Sequence, residues 1–336
     1  MKALQFPRVN RTEVVNIERP SISGQEVLVK VGASGICHTD VEILRGNYGA
    51  NFPVIPGHEF AGTVEKVGNE VDPGLVGRTV VVDPNVPCHQ CAACAAGLFN
   101  KCSNLKTYGS TLDGGFSEYV AVDAGTVHSA EGLSMGAAAL AEPLACVLHG
   151  LNRLSLSPQQ RTIIFGTGPI GMLMLQALRA KGVTEVACVD RHKSRLEIAR
   201  RLGAHACFQP DEIAQESHRR EFNIAIDATG IPAVIQTLPD LIKDRGTILL
   251  FGVCPPDARV AFSPFEIYDR ELAVLGSCSL CGEIDEALEL LKKGAISVDE
   301  IVSHQVNLEQ MPEYLSRVGD PDTLKVQLVF DKNDSP

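Results

Sequence analysis

The sequence predicts an α/β protein that combines a β-rich, barrel-like domain with a doubly wound parallel sheet. From 1 to about 145, short alternating or β-branched runs are broken by Gly, Pro, Asn and Asp. From about 150 to 280, short apolar strands alternate with helical stretches, which is typical of crossover units on a parallel sheet. The length of 336 residues suits roughly two domains.

Each predicted element can be read as a short string. In the first stretch the predicted strands are EVLVKVGAS, AGTVEKVG, RTVVVD and FSEYVAV. In the second, the strands TIIFG, EVACVD, NIAIDATG, GTILLFG and LAVLG alternate with helices such as GMLMLQALRAKG and SRLEIARRLGA. The last stretch opens with a predicted helix, EIDEALELLKKG, and ends with a predicted strand, KVQLVF. Its roughly 55 residues are few for a separate core, so we expect 280–336 to return to the first domain, 1–145, around a central domain at 146–279.

Composition excludes several classes of partner. The net charge of −11 and the lack of a long basic run disfavour nucleic acid and anionic membranes. The start, MKALQFPRVNRTEVV, lacks the apolar core of a secretory signal, and no uninterrupted run of 18 apolar residues occurs. The expected compartment is the cytoplasm.

Four of the 11 cysteines crowd into residues 88–102, with the spacing C-x2-C-x2-C-x7-C. Four thiolates at Cys88, Cys91, Cys94 and Cys102 would close a tetrahedral shell around a structural zinc ion and stabilise a lobe, about 84–105, that is poor in large apolar residues. An iron-sulfur cluster or disulfides are the alternatives. His89 lies inside the run and is expected to face solvent.

A second set of possible ligands is dispersed: Cys37 in GICHTD, His58 and Glu59 in PGHEF, and Glu142 in AEPLAC. Taken singly, each has an ordinary explanation, since a buried Cys is usually core, a His after Gly is usually a turn residue and a Glu before Pro commonly ends a helix. Together they offer sulfur, nitrogen and oxygen donors suited to a catalytic zinc ion, with one position left for water or substrate.

The string TIIFGTGPIG places the glycines of a G-x-G-x-x-G motif between a strand and a helix, and Asp190 follows 19 residues after Gly171. This context predicts a dinucleotide site, whereas the alternative is a doubly wound sheet that has lost its ligand. A carboxylate at Asp190 would accept the ribose hydroxyls and repel a 2′-phosphate, which favours NAD over NADP. Arg191 and Lys193 instead favour NADP, because an arginine directly after the acid can hold a 2′-phosphate.

Other candidates follow from position. Residues at the carboxyl ends of predicted parallel strands are expected to line the cofactor cleft. The expected cofactor-binding residues are Gly166, Gly168, Pro169, Ile170, Gly171, Asp190, Arg191, Arg195, Thr229, Phe251, Gly252 and Ser277. Tyr48, Phe116 and Leu280 are candidates for the substrate pocket by position only.

GICHTDVEILRGNYGANFPVIPGHEFAGTVEKVG, the four-cysteine lobe, AEPLACVLHG and GTGPIGMLMLQALRAKG stand in the order found in zinc-dependent medium-chain dehydrogenases/reductases. The chain resembles this family over nearly all its length. The GHE motif with the glutamate of EPL is similar to the polyol (sorbitol-type) and threonine dehydrogenase branch, since classical alcohol dehydrogenases place a cysteine where Glu142 stands.

The resemblance implies a discontinuous GroES-like catalytic domain, a Rossmann coenzyme domain and a cleft that contains the reaction. It implies that Cys37 and His58 ligate zinc, that Glu59 is a ligand or near-ligand, and that Glu142 approaches the metal directly or through water. Asp40 would orient His58, and Thr39 would relay the substrate proton. Many relatives carry histidine where this chain has Glu42, so the relay beyond Thr39 is left open.

The expected function is NAD-dependent oxidation of a secondary hydroxyl of a polyol (sugar alcohol) to a ketose by hydride transfer, with the reverse reduction. The alternatives are threonine 3-dehydrogenase, simple alcohol or polyol-phosphate dehydrogenases and, from another class, a non-catalytic zinc-stabilised nucleotide-binding protein. Relatives are commonly dimers or tetramers, which implies a homo-oligomer, with a tetramer as the specific expectation.

Overall fold

A computed structural model describes residues 1–214 and 216–330. The strands are β1 (Lys2–Arg8), β2 (Arg11–Asn16), β3 (Glu26–Gly35), β4 (Glu59–Val67), β5 (Thr79–Val82), β6 (Asn85–Val86), β7 (Lys106–Thr107), β8 (Tyr119–Asp123), β9 (Val127–Ser129), β10 (Arg161–Phe165), β11 (Glu185–Val189), β12 (Ala206–Phe208), β13 (Phe222–Asp227), β14 (Ile242–Leu250), β15 (Ala273–Gly276), β16 (Val302–Val306) and β17 (Lys325–Val329). The helices are α1 (His38–Arg45), α2 (Ala92–Ala95), α3 (Met135–Ala138), α4 (Ala141–Asn152), α5 (Pro169–Ala180), α6 (Lys193–Arg201), α7 (Pro210–Ile213), α8 (Pro232–Ile235), α9 (Leu238–Leu241), α10 (Pro264–Asp269), α11 (Ile284–Lys292) and α12 (Met311–Ser316). Short 3-10 turns lie at Pro73–Leu75, Phe99–Lys101, Ala124–Thr126 and Glu216–His218.

These elements fold into two compact units. The first comprises Met1–Ala145, Cys281–Gly294 and the described part of Val302–Pro336, and the second comprises Cys146–Leu280 and Ala295–Ile301. No helix among the described residues is long and apolar enough to cross a membrane.

The segment Ala295–Ile301 differs from the expectation that all of 280–336 returns to the first domain. The backbone N–H of Ser297 donates to the side-chain oxygen of Gln176 on α5 at 2.6 Å. Arg201 at the end of α6 forms an ion pair with Glu300 at 2.7 Å. These contacts with helices of the second unit hold the segment there, and no periodic pattern in so short a stretch could have shown it.

The first unit is built on a seven-stranded sheet with the order β16-β17-β3-β4-β5-β9, and β8 also pairs with β3. All ladders are antiparallel except that of β16 with β17. The long strand β3 is central, because β17 pairs with its carboxyl end on one side and β4 runs along the other. The unit is therefore β-rich, and its final strand is the predicted KVQLVF.

Two hydrophobic clusters form the core of the first unit. One gathers fully buried side chains such as Phe6, Ile43 and Phe116. The other lies between β3, β4, β5 and β8 and contains Val29 and Phe60. Alternate residues of the strands supply these side chains, as period-2 patterning requires.

The second unit holds a six-stranded parallel sheet with the order β12-β11-β10-β13-β14-β15. The predicted strands TIIFG, EVACVD, NIAIDATG, GTILLFG and LAVLG correspond to β10, β11, β13, β14 and β15. The chain order reverses between β10 and β13, and in sheets of this kind ligands bind outside the carboxyl ends of the strands at that point.

Asp83, which follows β5, has a carboxyl group whose pKa is raised by burial. Burial raises the pKa of Asp83 to about 6, although a hydrogen bond from the Asn85 backbone and the nearby His128 oppose the rise. In an unfolded chain the pKa is about 3.8, so between these two values the folded protein holds the extra proton. Stability is therefore lost as the pH rises through this window.

We expect Asp83→Asn to be more stable than the parent at about pH 7.5, by up to about 3 kcal/mol, and nearly equal to it at about pH 4. The asparagine keeps the oxygen that accepts from Asn85 but has no charge to bury. Melting temperatures measured across this range test the expectation, with Asp299→Asn, an exposed position, as the control. A stability difference that does not change with pH would contradict it.

Candidate active site

Cys37 stands between β3 and α1, and its position is set by a local hydrogen bond. Its backbone N–H donates to the carboxylate of Asp40 at 2.8 Å, and Asp40 lies in the first turn of α1. An acid three residues after the residue that precedes a helix is a helix-start signal. Helix α1 was not predicted, although CHTD contains this signal.

Asp40 also connects Cys37 to the start of β4. Its Oδ1 lies 3.5 Å from Nδ1 of His58 and accepts a hydrogen bond from the N–H of Gly57 at 3.3 Å. Asp40 is fully buried, so both contacts are protected from water. These contacts fit the orienting role that the family resemblance implies for Asp40, and that role stays a prediction.

One donor atom each from Cys37, His58 and Glu59 lies within 4.8 Å of the others. Burial disfavours a charged His58, but the Cys37 thiolate and Asp40 outweigh it and raise the pKa of His58 well above its ordinary value. The negative charges beside His58 thus favour a positive charge in this cluster, which is mostly shielded from solvent. A thiolate, an imidazole and a carboxylate at this spacing fit a zinc ion.

Thr39 and Glu142 occupy different positions around this cluster. The hydroxyl of Thr39 lies 3.6 Å from the Cys37 sulfur. Glu142 is buried in the first turn of α4, so the Glu-Pro pair begins a helix and does not end one. Glu142 is not among the three residues whose donor atoms lie within 4.8 Å of one another, and its contact with the metal stays a prediction.

Lys325 at the start of β17 is a site residue that the sequence did not reveal. Its ammonium nitrogen lies 2.7 Å from both carboxylate oxygens of Glu59 and donates to the carbonyl of Ile36 at 3.0 Å. Burial lowers the pKa of Lys325, but Glu59 and Cys37 more than compensate, and the net shift is upward. A lysine that heads a strand pattern is ordinarily solvated, and only the packing of distant segments shows otherwise.

The four-cysteine lobe brings Cys88, Cys91, Cys94 and Cys102 together, with sulfur atoms within 4.8 Å of one another. All cysteines, each in a described part of the chain, are free thiols. Backbone hydrogen bonds lower the pKa of Cys91 to about 5, which favours the thiolate that metals bind. The two-residue ladder of β6 with β7 closes the base of the lobe, and His89 is exposed as predicted.

In the second unit, the glycine-rich turn follows β10 and leads into α5. Gly166 has φ +95°, which favours glycine, and a Cβ on Gly171 would collide with the carbonyl oxygen of Gly166. Nothing lies within 4 Å of a Cβ built on Gly168, so this turn leaves open space at the start of α5. Pro169 and Ile170 form the first turn of that helix. The turn fits a pyrophosphate next to a helix N-terminus.

Asp190 directly follows β11 and is already engaged by the protein. One carboxylate oxygen accepts hydrogen bonds from the N–H and hydroxyl of Thr167, at 2.8 and 2.9 Å, and the other accepts from the N–H of His192 at 2.9 Å. Asp190 therefore braces the glycine-rich turn through Thr167. Arg191 is exposed, with Nε 3.0 Å from the His192 ring, whereas Arg195 is buried.

A second buried acid, Asp227, organises the next loop and was not predicted. Its carboxylate accepts hydrogen bonds from the N–H and hydroxyl of Thr229, at 3.0 and 2.6 Å, and from the N–H of Gly230 at 3.1 Å. The backbone N–H groups of Phe251 and Gly252 donate to the Asp227 carbonyl. The loops after β13 and β14 are thereby joined at the carboxyl edge of the sheet, where doubly wound sheets bind ligands.

Ser277, after β15, presents a buried hydroxyl that has no hydrogen-bond partner among the described residues. An unpaired buried polar atom at this edge fits a ligand contact, and together with the open glycine-rich turn it fits a dinucleotide. The residues expected in the substrate pocket differ in exposure. Phe116 and Leu280 are fully buried, and Tyr48 is 52% exposed.

Comparisons with known proteins agree with this geometry. Residues 23–132 match the alcohol dehydrogenase GroES-like domain, and residues 169–293 match the zinc-binding dehydrogenase family. D-altritol 5-dehydrogenase of Agrobacterium fabrum is 41% identical over 97% of this chain and 99% of its own.

Two solved structures share the fold over 98% of this chain and 99% of theirs. A zinc-binding dehydrogenase of Sinorhizobium meliloti 1021 bound to NADP has 32% identity and a TM-score of 0.94. An alcohol dehydrogenase of Escherichia coli CFT073 in complex with NADH has 28% identity and a TM-score of 0.92.

The fold and the two cysteine-containing clusters therefore define a zinc-dependent, nicotinamide-linked oxidoreductase. The chain belongs to the zinc-dependent medium-chain alcohol dehydrogenase family, with a GroES-like and a Rossmann-type domain, as its motifs predicted.

Proposed function

We propose that this enzyme oxidises a secondary hydroxyl of a polyol to a ketose, reversibly, with zinc and NAD. The observation that carries the proposal is the cluster of Cys37, His58 and Glu59, which is mostly shielded from solvent and whose donor atoms suit zinc. The similarity to an altritol dehydrogenase along nearly the whole chain supports the substrate class.

In this proposal Cys37, His58, Glu59 and Glu142 hold the catalytic zinc ion. When bound, zinc supplies a Lewis acid that lowers the pKa of a coordinated hydroxyl towards neutrality. Asp40 fixes the ring of His58, and the Thr39 hydroxyl accepts the substrate proton.

Beyond Thr39, Glu42 takes the place of the histidine found in many relatives. A hydrogen bond from Asn47 lowers the pKa of Glu42, and Arg45 adds to the effect. The lowered pKa makes Glu42 a weak proton acceptor, so we propose that it takes the proton from Thr39 only in transit and releases it at once to solvent water.

We propose NAD as the cofactor because a carboxylate directly after β11, here Asp190, would repel a 2′-phosphate. The turn residues Gly166, Gly168, Pro169, Ile170 and Gly171 would hold the pyrophosphate. Arg191, Arg195, Thr229, Phe251, Gly252 and Ser277 complete the proposed cofactor site. The NADP-bound relative makes cofactor choice a necessary part of the test.

The proposal further includes two zinc ions per chain, a cytoplasmic location and a homo-oligomer, most specifically a tetramer. Clustered thiols with metal-ligand spacing suit a reducing compartment. β15 ends the order of the six-stranded sheet, and it and α10 present exposed apolar side chains: Val274, Phe265 and Tyr268. Such a surface suits contact with another copy, and sedimentation of the purified protein measures it.

The test is a substrate panel with NAD and NADP, followed by absorbance of the reduced cofactor, together with a zinc count. We expect two zinc ions per chain and polyol oxidation with NAD at least about tenfold more efficient than with NADP, a difference of about 1.4 kcal/mol. Preference for threonine, a simple alcohol or a polyol phosphate would replace the substrate assignment. One zinc ion and no turnover would instead support a non-catalytic nucleotide-binding protein.

A further inference from the structure

We propose that Lys325 is a positioning residue that weakens the bond between Glu59 and the catalytic metal, and so keeps one coordination position available to substrate. This inference rests on the proposed function, because it requires a metal ion in the cluster of Cys37, His58 and Glu59. It concerns the Lys325–Glu59 bridge, defined as the two contacts between the ammonium nitrogen and the carboxylate oxygens.

The bridge is built across the central strand of the first unit. β17 pairs with β3 on one side, with Gln327 opposite Gly35, and β4 pairs on the other side, with Glu59 opposite Gly35. Lys325 precedes Gln327 by two residues, so the side chains of Lys325 and Gln327 lie on the same face of the sheet. The Lys325 and Glu59 side chains therefore meet over β3.

Gly35 is what makes this crossing possible. A Cβ at this position would collide with the carboxylate of Glu59. Its φ is not in the left-handed region, so backbone conformation does not explain the glycine. The missing side chain leaves room for the bridge.

The bridge occupies both oxygens of the carboxylate. Lys325 is 4% exposed and Glu59 is 1% exposed, so water does not compete for these contacts. Each oxygen, at 2.7 Å from the ammonium nitrogen, accepts a charge-assisted hydrogen bond. An oxygen that already shares electron density with an ammonium group is a poorer metal donor.

The charges of the site give the bridge a second effect. Cys37, Glu59 and Glu142 together carry three negative charges when ionised, and a zinc ion with Lys325 would carry three positive ones. Lys325 thus balances a buried donor set that zinc alone would leave negative. Without Lys325, the buried Glu59 carboxylate would have the metal as its remaining cationic partner.

A purely structural ion pair and a positioning residue predict opposite results for Lys325→Met. If the lysine only holds the fold together, its loss loosens the cluster, and the metal leaves faster. If it restrains Glu59, its loss lets the carboxylate bind the metal more strongly, and the metal leaves more slowly while turnover falls. The direction of the change in metal release therefore separates the two.

The experiment uses the full-length, zinc-loaded enzyme and measures zinc release to a chromogenic chelator. The phase that belongs to this cluster is identified as the one missing from Cys37→Ser. We expect Lys325→Met to slow that phase at least about fivefold, to lower kcat at least about tenfold, and to change the visible spectrum of the cobalt-substituted enzyme. Lys325→Arg should restore the parental release rate and spectrum in large part.

Two further variants complete the design. Lys30→Met makes the same chemical change at an exposed position of β3 and should alter none of these measurements. In the double variant Lys325→Met, Glu59→Gln the strengthened ligand is gone, and release should return to the parental rate or exceed it. If Lys325→Met does not fold, Lys325→Gln, which keeps a neutral donor, tests the same direction of change.

Faster or unchanged release from Lys325→Met, or an unchanged cobalt spectrum, would overturn the inference. That outcome is distinct from a failure of the proposed function. If Cys37→Ser retains both zinc ions, the metal site itself is wrong. If Cys37→Ser loses one zinc ion while Lys325→Met leaves release unchanged, only the role of Lys325 is wrong.

Discussion

Cys37→Ser and His58→Ala are each expected to lose one of two zinc ions and to oxidise polyols at least about 10³-fold more slowly than the parent enzyme. A bound zinc ion contributes several kcal/mol of charge stabilisation when the substrate hydroxyl ionises, and each 1.36 kcal/mol corresponds to about tenfold in rate. The two residues are neighbours through Asp40, which contacts both, so removal of either disrupts the same cluster.

Zinc per chain and kcat are measured on the same preparations, because the prediction links them. The four-cysteine lobe should keep its metal, so one zinc ion per chain should remain. Cys207→Ala, which removes a thiol outside both clusters, serves as the control and should retain two zinc ions and full turnover. Full activity in either ligand variant would contradict the proposed mechanism.

The folds of both units were predictable because their signals are local. Strands and helices of the second unit follow from short-range periodicity, and the observed strand order is the one that a doubly wound sheet adopts. The grouping of Cys37, His58 and Glu59 was predicted from their combined donor types and from the family resemblance, because each residue alone has an ordinary explanation.

The residues that support the site could not be predicted in the same way. Lys325 is far from Glu59 along the chain, and only the pairing of β17 with β3 brings them together. Thr167 and Asp227 belong to no motif that singles them out, and only their hydrogen bonds in the folded chain show their roles. Such contacts depend on tertiary packing, for which a single sequence has no periodic signal.

Asp190 lies where the sequence predicts an acid, but it also forms hydrogen bonds that the sequence does not predict. It lies directly after β11, as expected, and its contact with ribose stays a prediction. Its carboxylate, however, accepts three hydrogen bonds from the protein, two of them from Thr167 in the glycine-rich turn. The carboxylate after β11 and the glycine-rich turn are therefore joined by direct hydrogen bonds in this chain.

The largest expected loss of stability follows from Cys102→Ser in the four-cysteine lobe. Within the described stretch 88–105, Cys94 and Cys102 are the only buried residues, so the lobe has no apolar core of its own. Cys102 also accepts hydrogen bonds from the backbone N–H groups of Cys88 and Asn104, at 3.2 and 3.4 Å. A metal ion held by four thiolates would then supply most of the folding energy of the lobe.

We expect Cys102→Ser to lose one zinc ion, to unfold at a temperature about 10 °C lower and to be cleaved by protease within 88–105, since loss of a structural metal costs about 4 kcal/mol or more. His89→Asn is the matched control, because His89 is exposed in the same lobe and has φ 55°, a conformation that asparagine tolerates. The zinc ion at Cys37 should survive in Cys102→Ser at low temperature, where the first unit keeps its own core. A Cys102→Ser protein with two zinc ions and parental stability would show that hydrogen bonds, and not a metal, hold the lobe together.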